Sequence, residues 1–259
     1  MGLSLFWLEN MHHEKFHRLF KVPGPIVTPV IHVADQVQVK TNIAAALTEG
    51  AAGVFLINHD YGIKTFLPII RATRERFPDI WLGINFLAVT GRDAFPILGK
   101  LATEGCQIDA YWADDARIDE RMDNQSEAIE INMVRRDSGW NGLYFGGTAF
   151  KKQRAVASKK METAARHAIQ HMDVVTTSGV ATGEEANHDK IDAFRRGVGE
   201  HTLALASGIT PNNAKTYKKV DCFMVATGIN RTNDFYYIDP KKLGRLIEVT
   251  QQMEPHNNG

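Results

Sequence analysis

Eight short apolar runs, rich in Val, Ile and Phe, recur along this 259-residue chain at a near-constant interval. They span residues 26–33, 54–59, 80–87, 108–112, 143–150, 174–178, 203–207 and 223–227. The first four begin at residues 26, 54, 80 and 108. A repeat of this length is what one strand, one helix and two short loops require. The interval predicts eight consecutive β/α units.

The segments between the runs have helical periodicity, and we predict helices at residues 41–48, 63–76, 93–103, 127–136, 159–171, 189–196 and 241–250. Gly50, Gly105 and Gly139 are placed to end helices, and Asp239-Pro240 is placed to begin the last one. Near-continuous apolar strands alternating with helices are typical of a parallel sheet covered by helices. Eight units favour a closed α/β barrel of the (β/α)8, or TIM, type. A doubly wound sheet is disfavoured because the turn after the first strand lacks a glycine-rich phosphate loop.

The chain before the first strand has its own apolar pattern. Helix-compatible spacings relate Leu3, Phe6, Trp7, Phe16, Leu19 and Phe20. We predict that residues 1–22 form a helical extension that plugs the bottom of the barrel or joins a subunit interface. Residues 23–259 are predicted to form the barrel as one domain.

Charge composition excludes several classes of partner. Thirty Lys and Arg residues offset thirty Asp and Glu residues, so the chain has no basic excess for nucleic acid. Charged residues interrupt every apolar run well before the roughly 18 residues that a membrane span needs. The N-terminus lacks the basic and small-residue features of a signal peptide, so we expect a cytoplasmic protein. Cys106 and Cys222 begin strands, and we predict that both are unpaired core residues.

Activity in a barrel of this kind lies at the carboxyl ends of the strands. Three of these ends combine a hydroxyl with a glycine, which allows backbone and side-chain donors to approach an anion. We predict a phosphate-binding site from Ser178, Gly179, Thr182, Ser207, Gly208, Thr227 and Gly228. Ordinary turn chemistry is the alternative reading of these pairs.

Other strand ends carry residues suited to acid/base chemistry. We predict His32, Asp114 and Lys151 as catalytic residues, and Asn58 and Asn85 as groups that orient the substrate. A polar group satisfied by its neighbours is the alternative for His32. Lys151 has two open roles, Schiff-base formation and anion binding.

A metal site is a further alternative at the same strand ends. His32, His59, Asp60 and Asp114 offer the nitrogen and oxygen ligands of a transition metal. Their spacing does not require an ion, and we predict no metal and no cofactor.

Several segments resemble the BtpA family of barrel proteins. Residues 179–184 and 207–213 are the most similar, followed by 83–87 and by the approach to the first strand with His32. The resemblance covers most of the chain from about Phe16 onward. It implies a TIM-like barrel and an oligomer, and some members are labelled phosphoribosylanthranilate isomerases.

This chain departs from the family at two positions. After Leu87 the family has Arg and Asn, where this chain has residues 88–91 with the sequence Ala-Val-Thr-Gly. The fourth strand of the family carries Arg where Trp112 stands here. If those arginines bind an anionic part of the ligand, the substrate of this chain differs.

Together these features predict an enzyme that acts on a small phosphorylated or sugar-like metabolite by isomerase, lyase or glycosyl-bond chemistry. We expect a homo-oligomer with no nucleic-acid partner and no membrane span. Two alternatives stay open: a non-catalytic assembly, biogenesis or ligand-sensing factor, and a metal-dependent hydrolase.

Overall fold

The computed structural model describes residues 11–22 and 24–254 of the protein. Eight parallel strands form a closed barrel in sequence order, with β1 paired to both β2 and β8. The strands are β1 Ile26–Val33, β2 Val54–Asn58, β3 Leu82–Asn85, β4 Ala110–Ala113, β5 Leu143–Gly147, β6 Val174–Thr177, β7 Leu203–Leu205 and β8 Cys222–Val225. The predicted closed (β/α)8 barrel is confirmed.

Helices alternate with these strands. They are α1 His13–Phe20, α2 Gln36–Thr48, α3 Ile63–Arg76, α4 Gly91–Thr103, α5 Ser126–Ser138, α6 Met161–Ala168, α7 His188–Val198 and α8 Pro240–Gln251. The unit after β7 has only a short 3-10 turn, Ala214–Thr216. Helix α2 begins five residues before its predicted start because the Asp35 side chain accepts the backbone N–H of Gln38 and caps it there.

The predicted helix ends are confirmed by backbone geometry. Gly50 and Gly105 have φ of +81°, and Gly139 has φ of +69°. These angles lie in the left-handed region that glycine adopts without a steric penalty. Asp239 accepts the backbone N–H groups of Lys241 and Lys242 at the start of α8.

Strand side chains divide between two cores. Val27, Ile31 and Val33 of β1 pack outward against the helices, whereas Ile26 and Val30 pack inside the barrel. The same alternation places Phe55, Trp112 and other residues in the interior core, which comprises Met11, Phe16, Ile26, Val30, Phe55, Ile57, Ala110, Trp112, Phe145, Phe150, Val174, Ala204, Ala206, Cys222 and Met224. Because successive strand residues face opposite sides, His32 follows Ile26 and Val30 into the interior.

Helix α1 lies across the floor of the barrel, the end at which the strands begin. Phe16 is fully buried, and its ring centroid is 6.1 Å from that of Phe145 inside the barrel. Phe20 contacts Trp81 with ring centroids 5.1 Å apart, while Leu19 is exposed. The other apolar positions of the predicted extension, Leu3, Phe6 and Trp7, lie outside the described residues.

Three Arg–Asp pairs, which we call the floor clamps, hold this end of the barrel together; Arg195–Asp221 is fully buried and the other two are partly buried. In each, an aspartate lies just before one strand and accepts a hydrogen bond at 2.6 Å from an arginine Nη2. The arginine is on the helix that leads into the preceding strand. The same carboxylate oxygen accepts a backbone N–H near the start of the preceding strand. The clamps are Arg74–Asp109, Arg135–Asp173 and Arg195–Asp221. Each clamp therefore ties one helix to two neighbouring strands.

Two smaller expectations also have an outcome. Cys106 and Cys222 are both buried and unpaired, as predicted. Among residues 11–22 and 24–254, no helix has the length and apolar character needed to cross a membrane.

Candidate active site

The carboxyl ends of the strands surround a small cavity at the mouth of the barrel. His32, Trp112, Lys151 and the loops after β6, β7 and β8 line it. Six of the predicted site residues meet here: His32, Lys151, Thr182, Ser207, Gly208 and Thr227. No acidic side chain is among the lining residues. The cavity is narrow, with a volume of about 40 Å³.

His32 presents one imidazole nitrogen as a base. Its Nδ1 lies 3.0 Å from the carbonyl oxygen of Phe235, and its ring stacks on the Phe235 ring with centroids 3.8 Å apart. Because a carbonyl oxygen only accepts, Nδ1 carries the proton and Nε2 keeps its lone pair. Burial and the neighbouring His59 lower the pKa of His32 to about 4. His32 is therefore neutral near pH 7.

Lys151 and Asp114 form the charged part of the mouth. The Lys151 Nζ donates to the carbonyl of Ala206 at 3.2 Å, and burial lowers its pKa. Burial raises the pKa of Asp114, while a hydrogen bond from Asn85 Nδ2 at 3.2 Å opposes that rise. Desolvation thus shifts both groups toward their neutral forms, as at many sites of proton transfer.

The glycines of the last three loops allow those loops to pack against one another. A Cβ at Gly208, where φ is +64°, would lie 2.3 Å from the carbonyl oxygen of Glu184. A Cβ at Gly179 would lie 2.5 Å from the same oxygen, and one at Gly228 would collide with the carbonyl of Ile209. These positions require glycine because the backbone of a neighbouring segment occupies the space that a Cβ atom would need.

Several residues that line the cavity have backbone N–H groups without a partner among the described contacts. Among the described turn and loop contacts, no hydrogen bond is donated by the backbone N–H of five lining residues: Thr182, Gly183, Ser207, Gly208 and Thr227. The buried indole N–H of Trp112 also has no partner within the described part of the chain. Thr182, Gly183 and Thr227 are exposed, so water satisfies their N–H groups, whereas Ser207, Gly208 and Trp112 are buried. Unpaired buried donors are uncommon, and those of the second group indicate a missing acceptor.

Three of the predicted binding side chains are engaged in loop contacts instead. The Ser178 hydroxyl accepts the backbone N–H of Lys151 and donates to the carbonyl of Gly179. The Ser207 hydroxyl donates to carbonyls of the loop after β6. Asn58 accepts from Leu87 N–H and donates to the carbonyl of Tyr61, because strand alternation directs it away from the interior. In this structure all three position loops, and their contact with substrate stays a prediction.

A wider groove continues from the cavity past Lys151. It has a volume of about 710 Å³ between the loops after β5 and β6, within the range of roughly 300–1,000 Å³ for small-molecule sites. Lys190 lines it and donates to the carbonyls of Ala149 and Ser178 at 2.7 and 2.6 Å. Burial lowers the pKa of Lys190 to about 8. The groove adds positive charge and space beside the narrow cavity.

Trp112, Lys190 and Phe235 complete the mouth, and the sequence analysis did not assign them there. Counting alternate residues from Ala110 places Trp112 inside the barrel, so a sequence signal existed. The roles of Lys190 and Phe235 depend on loops that meet them from elsewhere in the chain. Sequence alone carries no signal for those contacts.

The low pKa of His32 makes stability depend on pH. The folded-state value of about 4 lies below the ordinary value of 6.5, so the unfolded chain binds a proton that the folded chain does not. We expect the difference in unfolding free energy between wild type and His32→Asn to be constant above pH 6.5. It should shrink by up to about 3 kcal/mol as the pH falls toward 4. Urea unfolding at a series of pH values measures it, and a difference independent of pH would contradict the assignment.

The fold and site define the class of protein: a (β/α)8 barrel with its polar site at the carboxyl-end mouth. Solved structures with the same fold include the tryptophan synthase alpha chain from Legionella pneumophila, with a TM-score of 0.58 and 13% identity over 94% of this chain and 97% of that one. Phosphoribosyl anthranilate isomerase from Thermus thermophilus has a TM-score of 0.54 and 12% identity over 86% and 97% of the two chains. The 2-keto-3-deoxy-6-phospho-gluconate aldolase from Zymomonas mobilis has a TM-score of 0.56 and 11% identity over 92% and 97%.

At these identities the structural likeness establishes the fold alone. No protein-family model matches the chain, and a search of curated proteins finds no significant match. The resemblance to the BtpA family therefore rests on the strand and loop sequences alone and stays a prediction.

Proposed function

We propose that this protein is an enzyme that binds the phosphate of a small sugar-like metabolite at the barrel mouth and moves a proton next to its carbonyl group. Such a step belongs to an isomerase or a lyase. The observation that carries the proposal is the donor-rich lining of the cavity. Five lining residues have backbone N–H groups that donate none of the described loop hydrogen bonds, Trp112 and Lys151 line the cavity with them, and no carboxylate lines it.

The donors suit an anion for electrostatic reasons. Backbone N–H groups and a lysine stabilise a phosphate locally, which agrees with a chain that has no overall basic charge. The narrow cavity suits a compact group, and the groove beyond Lys151 has room for the rest of the metabolite. Two of the structural neighbours bear the names of a phospho-gluconate aldolase and a phosphoribosyl isomerase, which supports the same substrate class.

His32 and Lys151 have matching roles in this reaction. The Nε2 lone pair of His32 accepts the proton from carbon, and the ring then returns it to the neighbouring atom. Lys151 stabilises the negative charge that develops on the carbonyl oxygen during this transfer. Asp114, on the polar side of Lys151, raises the pKa of the lysine and so helps to keep it charged.

Inorganic phosphate is the first probe of the anion site. We expect phosphate to raise the melting temperature of the protein relative to chloride at equal ionic strength. Gly208→Ala should abolish the shift, because the new Cβ would force apart the loops after β6 and β7. Lys151→Gln should weaken phosphate binding at least about tenfold without disturbing glycine packing. Gly62→Ala is the matched control, since a Cβ there meets no atom within 4 Å.

A panel of sugar phosphates in D2O then tests the reaction. Exchange of a C–H proton next to a carbonyl, followed by NMR, is the expected result for at least one compound. Phosphate binding without exchange across the panel would favour the ligand-sensing alternative. A protein whose melting temperature responds to neither phosphate nor any sugar phosphate contradicts the proposal as a whole.

A further inference from the structure

A second cluster of chemically active side chains lies on the barrel floor, at the end opposite the mouth. His13 and His17 stand one turn apart on α1, and Asp221 comes just before β8. All three are buried, with Asp221 only 1% exposed. One ligand atom from each lies within 4.8 Å of the others. Two imidazoles and a carboxylate form a common ligand set for zinc.

His17 presents the tautomer that a metal requires. Its Nδ1 lies 3.2 Å from the carbonyl oxygen of Val22. The carbonyl accepts, so Nδ1 carries a proton, and in the neutral ring Nε2 is then the nitrogen with the lone pair. A backbone carbonyl that orients the non-ligating nitrogen in this way is typical of metal-bound histidines.

The Nε2 lone pair of His17 faces the Asp221 carboxylate across a gap. The distance from Nε2 to Oδ1 is 3.7 Å, which exceeds a hydrogen bond. Two atoms each about 2.1 Å from one zinc ion lie roughly 3.4 Å apart at the tetrahedral angle. The gap therefore has the size that a shared ion requires. The other oxygen of Asp221 is held by Arg195 at 2.6 Å and by Leu203 N–H at 2.8 Å, so the carboxylate is rigidly positioned.

His13 is oriented by a second carboxylate. Its Nε2 lies 2.7 Å from Glu200 Oε2, and its backbone N–H donates to the carbonyl of the same residue at 3.0 Å. Carboxylates commonly orient metal-binding histidines through such contacts. Zinc binding requires the three ligand atoms, which lie within 4.8 Å of one another, to close to roughly 3.4 Å.

We propose that His13, His17 and Asp221 bind one zinc ion that fastens α1 to the floor of the barrel. The sequence from His13 to His17 has the spacing H-E-x-x-H, which places two histidines on one face of a helix. We overlooked this spacing in predicting no metal, so the expectation that the chain has no H-E-x-x-H sequence was wrong. Glu14, which would be the general base in a hydrolytic site of this spacing, is exposed and pairs with Arg18 at 3.4 Å. The ion therefore has a structural role, separate from the mouth.

Zinc binding by the full-length, tag-free protein tests the proposal. We expect one zinc per chain by elemental analysis after loading and dialysis, and a rise in melting temperature of at least about 5 °C in saturating zinc. Cobalt in place of zinc should give the visible absorption bands of a four-coordinate site. His17→Ala should lower zinc affinity at least about a hundredfold in competition with a chromophoric chelator. His188→Ala, which removes an exposed histidine of α7, should bind zinc as wild type does.

Two outcomes would overturn the site. One is wild-type protein that retains no stoichiometric zinc after loading. The other is zinc affinity unchanged in both His17→Ala and His13→Gln. Circular dichroism of each metal-free variant establishes that it is folded. If His17→Ala does not fold, three results test the zinc site without it: the zinc affinity of His13→Gln, the wild-type zinc stoichiometry and the cobalt spectrum.

Discussion

Replacement of His32 by asparagine is expected to lower the rate of proton exchange on the sugar phosphate substrate by about 10²- to 10⁴-fold, the usual range for loss of a general acid/base. The asparagine amide can still donate to the Phe235 carbonyl, which His32 Nδ1 contacts at 3.0 Å. It is too short to reach the position of Nε2, so the base is removed while the hydrogen bond to the loop is kept. Rates measured by NMR in D2O for wild type and variant give the ratio.

The donors that line the cavity are unchanged in this variant. Phosphate affinity, measured by thermal shift, should therefore stay within about threefold of wild type, so that the effect falls on the rate and not on binding. His59→Asn is the matched control, because His59 contacts the His32 ring edge-on at 4.7 Å but does not line the cavity. Exchange that proceeds at the wild-type rate in His32→Asn would exclude His32 as the base and leave Lys151 or Asp114 for that role.

Loss of a floor clamp is expected to produce the largest change in stability. Asp173→Ala removes the carboxylate that Arg135 contacts at 2.6 Å and that the backbone N–H of Tyr144 contacts at the same distance. The Tyr144 N–H is then left buried without this acceptor, and the Arg135 guanidinium loses its counter-charge and keeps only the Gly142 carbonyl as an acceptor. Removal of one member of a buried ion pair typically costs about 3–5 kcal/mol. We expect a decrease of that size in the free energy of unfolding, measured by urea denaturation.

An exposed ion pair is the appropriate comparison. Asp192 contacts Lys219 at 2.9 Å, but both side chains are more than two-fifths exposed. Asp192→Ala should therefore cost no more than about 1 kcal/mol. Asp173→Asn keeps an acceptor for Tyr144 N–H without the charge, and its stability should fall between the two. Equal stability of Asp173→Ala and Asp192→Ala would show that the clamps do not hold the floor.

The barrel could be predicted from sequence because its signals are local and periodic. A strand interval of constant length specifies repeating units, and the first strand, residues 26–33, has the predicted bounds. Helix caps such as Gly139 and Asp239 depend on a few adjacent residues. Other strands are shorter than their apolar runs, since the run extends into buried loop residues such as Phe86 and Phe150 that pack without pairing.

The site was predicted in part, for reasons that individual residues make clear. His32 lines the cavity as expected, because alternation along β1 directs it inward. Asn58 faces away from the barrel interior by the same alternation. Its orientation could have been predicted by counting alternate residues of β2 from the interior residue Phe55. Ser178 and Ser207 lie at strand ends, as predicted, but their hydroxyls already form hydrogen bonds with other loops. Sequence alone does not reveal those partners. The floor cluster joins His13 and Asp221, which are more than 200 residues apart in sequence.

By itself the sequence determined the eight β/α units, their parallel arrangement and the strand ends at which chemistry is concentrated. The hydrophobic period, the lengths of the elements and the helix caps depend on residues that are close in sequence, so they can be read from the sequence directly. Only the tertiary structure decided which polar groups at the mouth stay without partners and which become part of loop packing. The partners of two engaged groups show why. The acceptor of the Ser207 hydroxyl is 23 residues away in sequence, and that of His32 Nδ1 is 203 residues away. The meeting of Trp112, Lys151 and the loops after β6, β7 and β8 around one cavity is therefore a consequence of closing the barrel.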